Sequence, residues 1–192
     1  MIETERLQLF PCELQHFEAI LDDQQKLSSL LNVKLAADWL GFDAAQEAMQ
    51  PSYQQLKSHP EILGWWTYLF VHKPDQTLIG LGGFKGLVNE EGMVELGYSI
   101  APAYRRRGLA IEATRGMIKY AFQHPEIRSV DAHTLPEKNA STGVLEKAGM
   151  KFIGSMNDPE DGEVWHWSLS SDDYGCSAPK VRDVKAWANG PG

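Results

Sequence analysis

The chain has 192 residues, 43% hydrophobic and 23% charged, the balance of an ordinary globular protein able to bury a full core. Its formal net charge of −8 argues against general affinity for nucleic acid, whose phosphate backbone needs a broad cationic surface. Apolar runs too short to span a bilayer, and an N-terminus without a secretion-signal pattern, make a cytoplasmic protein without membrane contact the expectation.

Residues 6–10 alternate as a first strand, which Pro11 should end. Residues 13–57 read as two or three helices: Leu14, Phe17, Ile20 and Leu21 share one face, and a second amphipathic piece from Ala44 to Leu56 is expected to break at Pro51. Residues 65–72 are rich in aromatic and β-branched side chains and predict a strand. The turn at residues 73–76 should join it as a hairpin to residues 77–84, and a further turn at residues 89–92 leads into the next strand. The aromatics Trp65, Trp66, Tyr68, Trp165 and Trp167 are expected on strands, as core or groove lining.

In that next strand Val94, Leu96, Tyr98 and Ile100 face one way, Glu95, Gly97 and Ser99 the other. A helix is predicted from Gly108 to Gln123, with Glu112, Arg115, Lys119 and Gln123 as its solvent stripe. Short strands at residues 129–134, 151–156 and 164–170 and a helix at residues 141–148, stopped by Gly149, complete the pattern. This order predicts an α/β (α+β) fold with one parallel crossover through the Gly108 helix. Residues 1–174 are expected to form a single domain, and residues 175–192 a loosely structured tail. Cys12 and Cys176 are far apart in sequence and the six histidines lack ligand spacing, so neither a disulfide nor a metal is expected.

The junction of strand and helix carries the chemistry. Free N–H groups and the positive end of the macrodipole meet at a helix start, and Arg105, Arg106 and Arg107 add charge beside them. Gly108 would let backbone approach a phosphate closely. Taken alone, this stretch fits an anion site and a plain glycine turn beside solvated arginines equally well.

Read as Arg105-x-x-Gly108-x-Ala110, the segment resembles the acetyl-CoA signature of the GNAT N-acetyltransferases. Residues 136–150, PEKNASTGVLEKAGM, resemble the second motif of that family, in the form used by relatives of the ribosomal-protein N-acetyltransferases. The opening ETERLQLFP and the run LIGLGGFKG are similar to the same branch. The resemblance implies a twisted, mostly antiparallel sheet with helices on both faces, split between its fourth and fifth strands, and acetyl-CoA as cosubstrate. It places the pantetheine arm along Tyr98, Ser99 and Ile100, with the Tyr98 N–H facing the thioester oxygen, where a preorganised donor stabilises developing charge. The pyrophosphate would rest on the amides of Arg106, Arg107, Gly108, Leu109, Ala110 and Ile111, with Arg105 alongside.

An alkyl ammonium acceptor, pKa about 10.4 for a lysine, must lose a proton before attack. Glu95, on the open strand face, can accept it directly or through water, can orient the acceptor, or can be an ordinary strand carboxylate. His133 competes for the role of base, because some relatives carry theirs at this place. Where many relatives have an asparagine three residues before Ser141, this chain has Lys138, with Asn139 one place later, so the Asn139 contact to the cofactor stays open. Ser141 is first an N-cap for its helix and otherwise a donor to the cofactor or the acid that reprotonates the thiolate. The tyrosine that serves as acid in many relatives is replaced by Leu145. The resemblance thus implies transfer of acetyl to a small-molecule or peptide primary amine by direct attack in a ternary complex. A non-catalytic acetyl-CoA sensor of the same fold is the alternative, and a homodimer stays open.

Overall fold

The alternating segments pair into one mixed sheet in a computed structural model that describes residues 1–41, 43–159 and 162–177. In chain order the elements are β1 (Ile2–Glu3), β2 (Leu7–Pro11), α1 (Leu14–Asp22), α2 (Gln24–Leu31), β3 (Lys34–Leu35), α3 (Asp43–Glu47) and α4 (Met49–Ser58). There follow β4 (Tyr68–His72), β5 (Thr77–Lys85), β6 (Met93–Ile100), α5 (Leu109–Ala121), β7 (Ser129–Thr134), α6 (Ala140–Ala148), β8 (Lys151–Asp158), β9 (Gly162–Ser170) and α7 (Ser171–Ser177).

The strand order is β1-β2-β4-β5-β6-β7-β9-β8, with β3 beside β5. Along that path every pairing is antiparallel except β6 with β7, the crossover through α5. The sheet is open and mostly antiparallel, as expected. Tyr68 and Phe70 of β4 fall in the core with α5 and α6, while Leu69 and Val71 fall in the core with α1, α2 and α4. Alternation thus sends successive residues of a doubly covered strand into two cores, and burial of each large side chain contributes about 1.5–3 kcal/mol.

Several details depart from the pattern read along the chain. Four helices, not two or three, occupy residues 14–58, because Asp23 caps α2 through Gln25 N at 2.9 Å and Asn32 closes it in a left-handed conformation. Pro51 does not interrupt its helix. It is the third residue of α4, where a missing N–H has no intrahelical acceptor to lose, and the break falls earlier, at Ala48. Trp65 and Trp66 precede β4 instead of lying in it. Of the expected tail, residues 175–177 belong to α7, and residues 178–192 lie outside the described residues.

Glu112, expected in a solvent stripe, is instead covered by the N-terminal segment. Its Oε1 accepts from Thr4 Oγ1 and Arg6 N, both at 2.6 Å, and its Oε2 from Arg6 Nε at 2.7 Å. Partial burial raises the carboxyl pKa, but these donors outweigh it and hold Glu112 below the usual carboxylate range. Glu112→Gln should therefore lower stability at pH 7 by about 1–2 kcal/mol. A depressed carboxylate contributes fully above its unfolded pKa and loses that contribution as pH falls through the folded value. The difference in urea midpoint between wild type and variant should accordingly shrink below about pH 4.3, and a difference that persists at lower pH would contradict the assignment.

Candidate functional site

Three features converge where β6 leaves β7. The parallel ladder covers only Met93↔Ser129, Val94↔Val130 and Glu95↔Asp131, whereas β6 stays paired with β5 as far as Gly80↔Ile100. From Leu96 onward the two strands diverge, and the β6 backbone at Tyr98, Ser99 and Ile100 has no ladder partner on that side. An extended ligand can pair there.

The first feature lies beyond the split. A 3-10 turn, Pro102–Tyr104, carries the chain from β6 to residues 105–108 and into α5. Arg106 (φ 60°) and Gly108 (φ 77°) both adopt the left-handed region, which costs a non-glycine residue of order 1 kcal/mol and suits glycine. A Cβ at Gly108 would meet only Arg6 Nη2, at an ordinary 3.5 Å, so backbone conformation is what demands glycine here, beyond the room expected for a ligand. Among the described residues no acceptor is found for the N–H groups of Arg106 and Gly108, and the first amides of α5 are unpaired by helix geometry. Unpaired N–H donors beside an exposed arginine suit the oxygens of a phosphate, such as the pyrophosphate of acetyl-CoA.

The three arginines are not equivalent. Arg105 donates through Nε to Ile100 O and through Nη2 to Gly41 O, both at 2.9 Å, and so ties the loop to the strand end and to the segment after α2. Arg107 lies over the Tyr104 ring at 5.0 Å. Arg106 is exposed and makes no such contact, which leaves its charge for a ligand.

The second feature is the polar face upstream of the split. Glu95 and His133 are not separate candidates, because His133 Nδ1 stands 3.2 Å from Glu95 Oε1. Lys85, the cross-strand neighbour of Glu95, also reaches Oε1, with its Nζ at 2.7 Å. A second such pair went unnoticed in the sequence. Directly opposite His133 on β9 is His166, whose Nε2 lies 2.5 Å from Asp131 Oδ2, while Ser168 Oγ donates to Oδ1 at 2.8 Å. The two imidazoles stack at 5.1 Å between centroids, 28° from parallel. Alternation on β7 and β9 carries a faint signal of this cluster, but only the pairing of the two strands brings it together.

The third feature is the start of α6. Ser141 is not the N-cap. Asn139 takes that role, its Oδ1 accepting from Ser141 N at 2.9 Å and Thr142 N at 3.2 Å, and its own N–H donating to Thr142 Oγ1 at 3.1 Å. The asparagine that sits one place late against the motif is therefore spent on a capping box. Ser141 is released from the cap, and its Oγ lies 3.5 Å from the Tyr98 hydroxyl, which approaches the Ser141 carbonyl at 3.4 Å. Burial pushes the Tyr98 pKa up to about 12, so the phenol keeps its proton. Leu145 is buried in the core.

Cys12 is buried and free, its thiol pushed up by burial and by Glu13, which leaves it a packing residue. Among the described residues no group of three or more His, Cys, Asp or Glu is placed to hold a metal ion, and no helix is long and apolar enough to cross a membrane.

Residues 6–151 match the family described as acetyltransferase (GNAT) domain. YjdG of Bacillus subtilis (strain 168), named as an uncharacterized N-acetyltransferase, is 24% identical over 167 residues, 87% of this chain and 96% of its own. Two solved structures share the fold. A GNAT-family acetyltransferase from Bacillus anthracis has a TM-score of 0.62 at 22% identity, covering 89% of this chain and 98% of its own. RimL, the ribosomal L7/L12 alpha-N-protein acetyltransferase in complex with coenzyme A, has a TM-score of 0.63 at 13% identity, covering 88% of this chain and 97% of its own.

Proposed function

Because the chain belongs to the GNAT family of N-acetyltransferases, we propose that it moves the acetyl group of acetyl-CoA to a primary amine by direct attack within a ternary complex. The observation that carries this reading is the split itself. One end opens onto unpaired amides suited to a pyrophosphate, and the other onto a carboxylate–imidazole pair suited to an ammonium.

Acetyl-CoA would supply an activated thioester carbonyl. The N–H groups of residues 106–111 and the Arg106 charge would hold its pyrophosphate, and the open backbone of Tyr98 to Ile100 its pantetheine arm. The Tyr98 N–H would face the developing oxyanion. Glu95 would take the proton of the acceptor ammonium, with His133 at 3.2 Å to share it. Ser141, with the protonated Tyr98 hydroxyl behind it, would return a proton to the departing thiolate. Cys12, buried in a core, plays no covalent part, which supports direct attack over an acyl-enzyme.

The same face supports a cationic amine as the acceptor. A cation already sits on Glu95, namely Lys85 Nζ, whose side chain is 63% exposed and can swing away. An acceptor ammonium would take its place. Exposed ion pairs are worth about 0–1 kcal/mol, so Lys85→Met should lower the acceptor KM by up to about fivefold. A raised KM in steady-state acetyl transfer would show instead that Lys85 helps hold the acceptor. RimL is named as a ribosomal L7/L12 alpha-N-protein acetyltransferase, which makes peptide N-termini one acceptor class to compare with free amino acids, polyamines and aminoglycosides.

A further inference from the structure

The opening segment ETERLQLFP stands out in the sequence, yet acetyl transfer as set out above gives it no part. What it touches is the back of the amide cradle. With Nε held on Glu112, the Arg6 guanidinium extends Nη1 to the Arg107 carbonyl at 3.0 Å and sets Nη2 3.5 Å from the place a Cβ at Gly108 would occupy. The partners are 101 residues apart in sequence, so this is a tertiary clamp and not a feature of the loop itself.

A trans peptide is planar, and its C=O and N–H point in opposite directions. Drawing the Arg107 carbonyl toward Arg6 therefore sends the Gly108 N–H the other way. Gly108, at one end of that peptide, and Arg106, one residue before its other end, hold left-handed conformations, the arginine's unfavourable for its residue type, so the loop needs an outside constraint to keep its amides aligned. We infer that Arg6 is a positioning residue of the cofactor site, fixing the Arg107–Gly108 peptide so that its N–H is presented to the pyrophosphate, with Glu112 holding the guanidinium in register. Only arginine meets the geometry, since its planar fork satisfies a carboxylate and a carbonyl at once. The inference rests on the acetyl-CoA reading.

Calorimetric titration of the full chain with CoA and with phosphate-free pantetheine tests it. Arg6→Gln should weaken CoA binding by about tenfold, the scale of one charge-assisted hydrogen bond, and leave pantetheine binding unchanged. Arg6→Lys, which keeps the charge beside Glu112 and serves if the glutamine variant does not fold, should weaken CoA in the same selective way. Thr4→Val removes a hydrogen bond from Glu112 but not the contact to Arg107, so it should lower the thermal midpoint and keep CoA affinity. Wild-type affinity for CoA in both Arg6 variants, or equal losses for CoA and pantetheine, would overturn the assignment. A wild-type chain that does not bind CoA at all would overturn the acetyl-CoA reading itself, and the inference with it.

Discussion

Glu95→Gln is expected to lower kcat by about a hundredfold or more while leaving acetyl-CoA affinity intact. The scale follows from the acceptor. At neutral pH only about one part in a thousand of an alkyl amine with pKa about 10.4 is unprotonated, so a positioned base has roughly that factor to recover. Glutamine keeps the size of the side chain and its place opposite Lys85, but removes the carboxylate charge and with it both the ion pair to Lys85 and the ability to take a proton. Because His133 contacts the same carboxylate oxygen, the two should act as a unit. His133→Gln in the Glu95→Gln background should then cost far less than His133→Gln alone. Steady-state rates for the four proteins of this cycle decide the matter. A Glu95→Gln enzyme at full rate would remove Glu95 from the mechanism, and strictly additive losses would separate it from His133.

The second large effect belongs to Gly108. Gly108→Val should weaken acetyl-CoA binding by about a hundredfold or more, even though a Cβ there finds room. At φ 77° an L-residue pays roughly 1–2 kcal/mol, and a β-branched one more. The cheaper response is for the loop to rotate residue 108 back to negative φ, which swings the adjacent peptide and turns its N–H out of the cradle. Each charge-assisted bond lost to the pyrophosphate is worth about 1.5–3 kcal/mol, so loss of this N–H together with one neighbouring amide displaced by the same rotation exceeds a hundredfold. Gly108→Ala should show a smaller loss of the same kind. Calorimetry on the purified variants measures both, and unchanged affinity in the valine variant would mean that these amides do not anchor the cofactor.

What could be read along the chain was what is local. The β6–turn–α5 junction needs only alternation, a helix period and a glycine at the join, and all three lie within residues 94–121. The split was legible only through resemblance, since nothing in β6 or β7 alone states where their ladder ends. Long-range partners were not legible. The clamp of Glu112 by Thr4 and Arg6 brings together residues more than a hundred positions apart, and it takes one member of the solvent stripe into a half-buried contact while Arg115, Lys119 and Gln123 stay exposed. The pairing of His133 with His166 depends on β7 and β9 lying in register, which neither strand announces. Asn139 shows the reverse case. Its displacement by one place left its role open in the sequence, and the capping box accounts for it: the residue that starts α6 is the asparagine, which frees Ser141 to meet Tyr98 across the split.

The most direct test of acetyl transfer to an amine is release of free CoA. The purified chain with acetyl-CoA is offered N-terminal peptides, amino acids, polyamines and aminoglycosides in one thiol-detection assay, beside the Glu95→Gln protein. Acceptor-dependent release of CoA with at least one of these amines, lost in the variant, is the expected result. Tight binding of acetyl-CoA with no release in the presence of any of them would contradict it and identify a sensor in place of an enzyme.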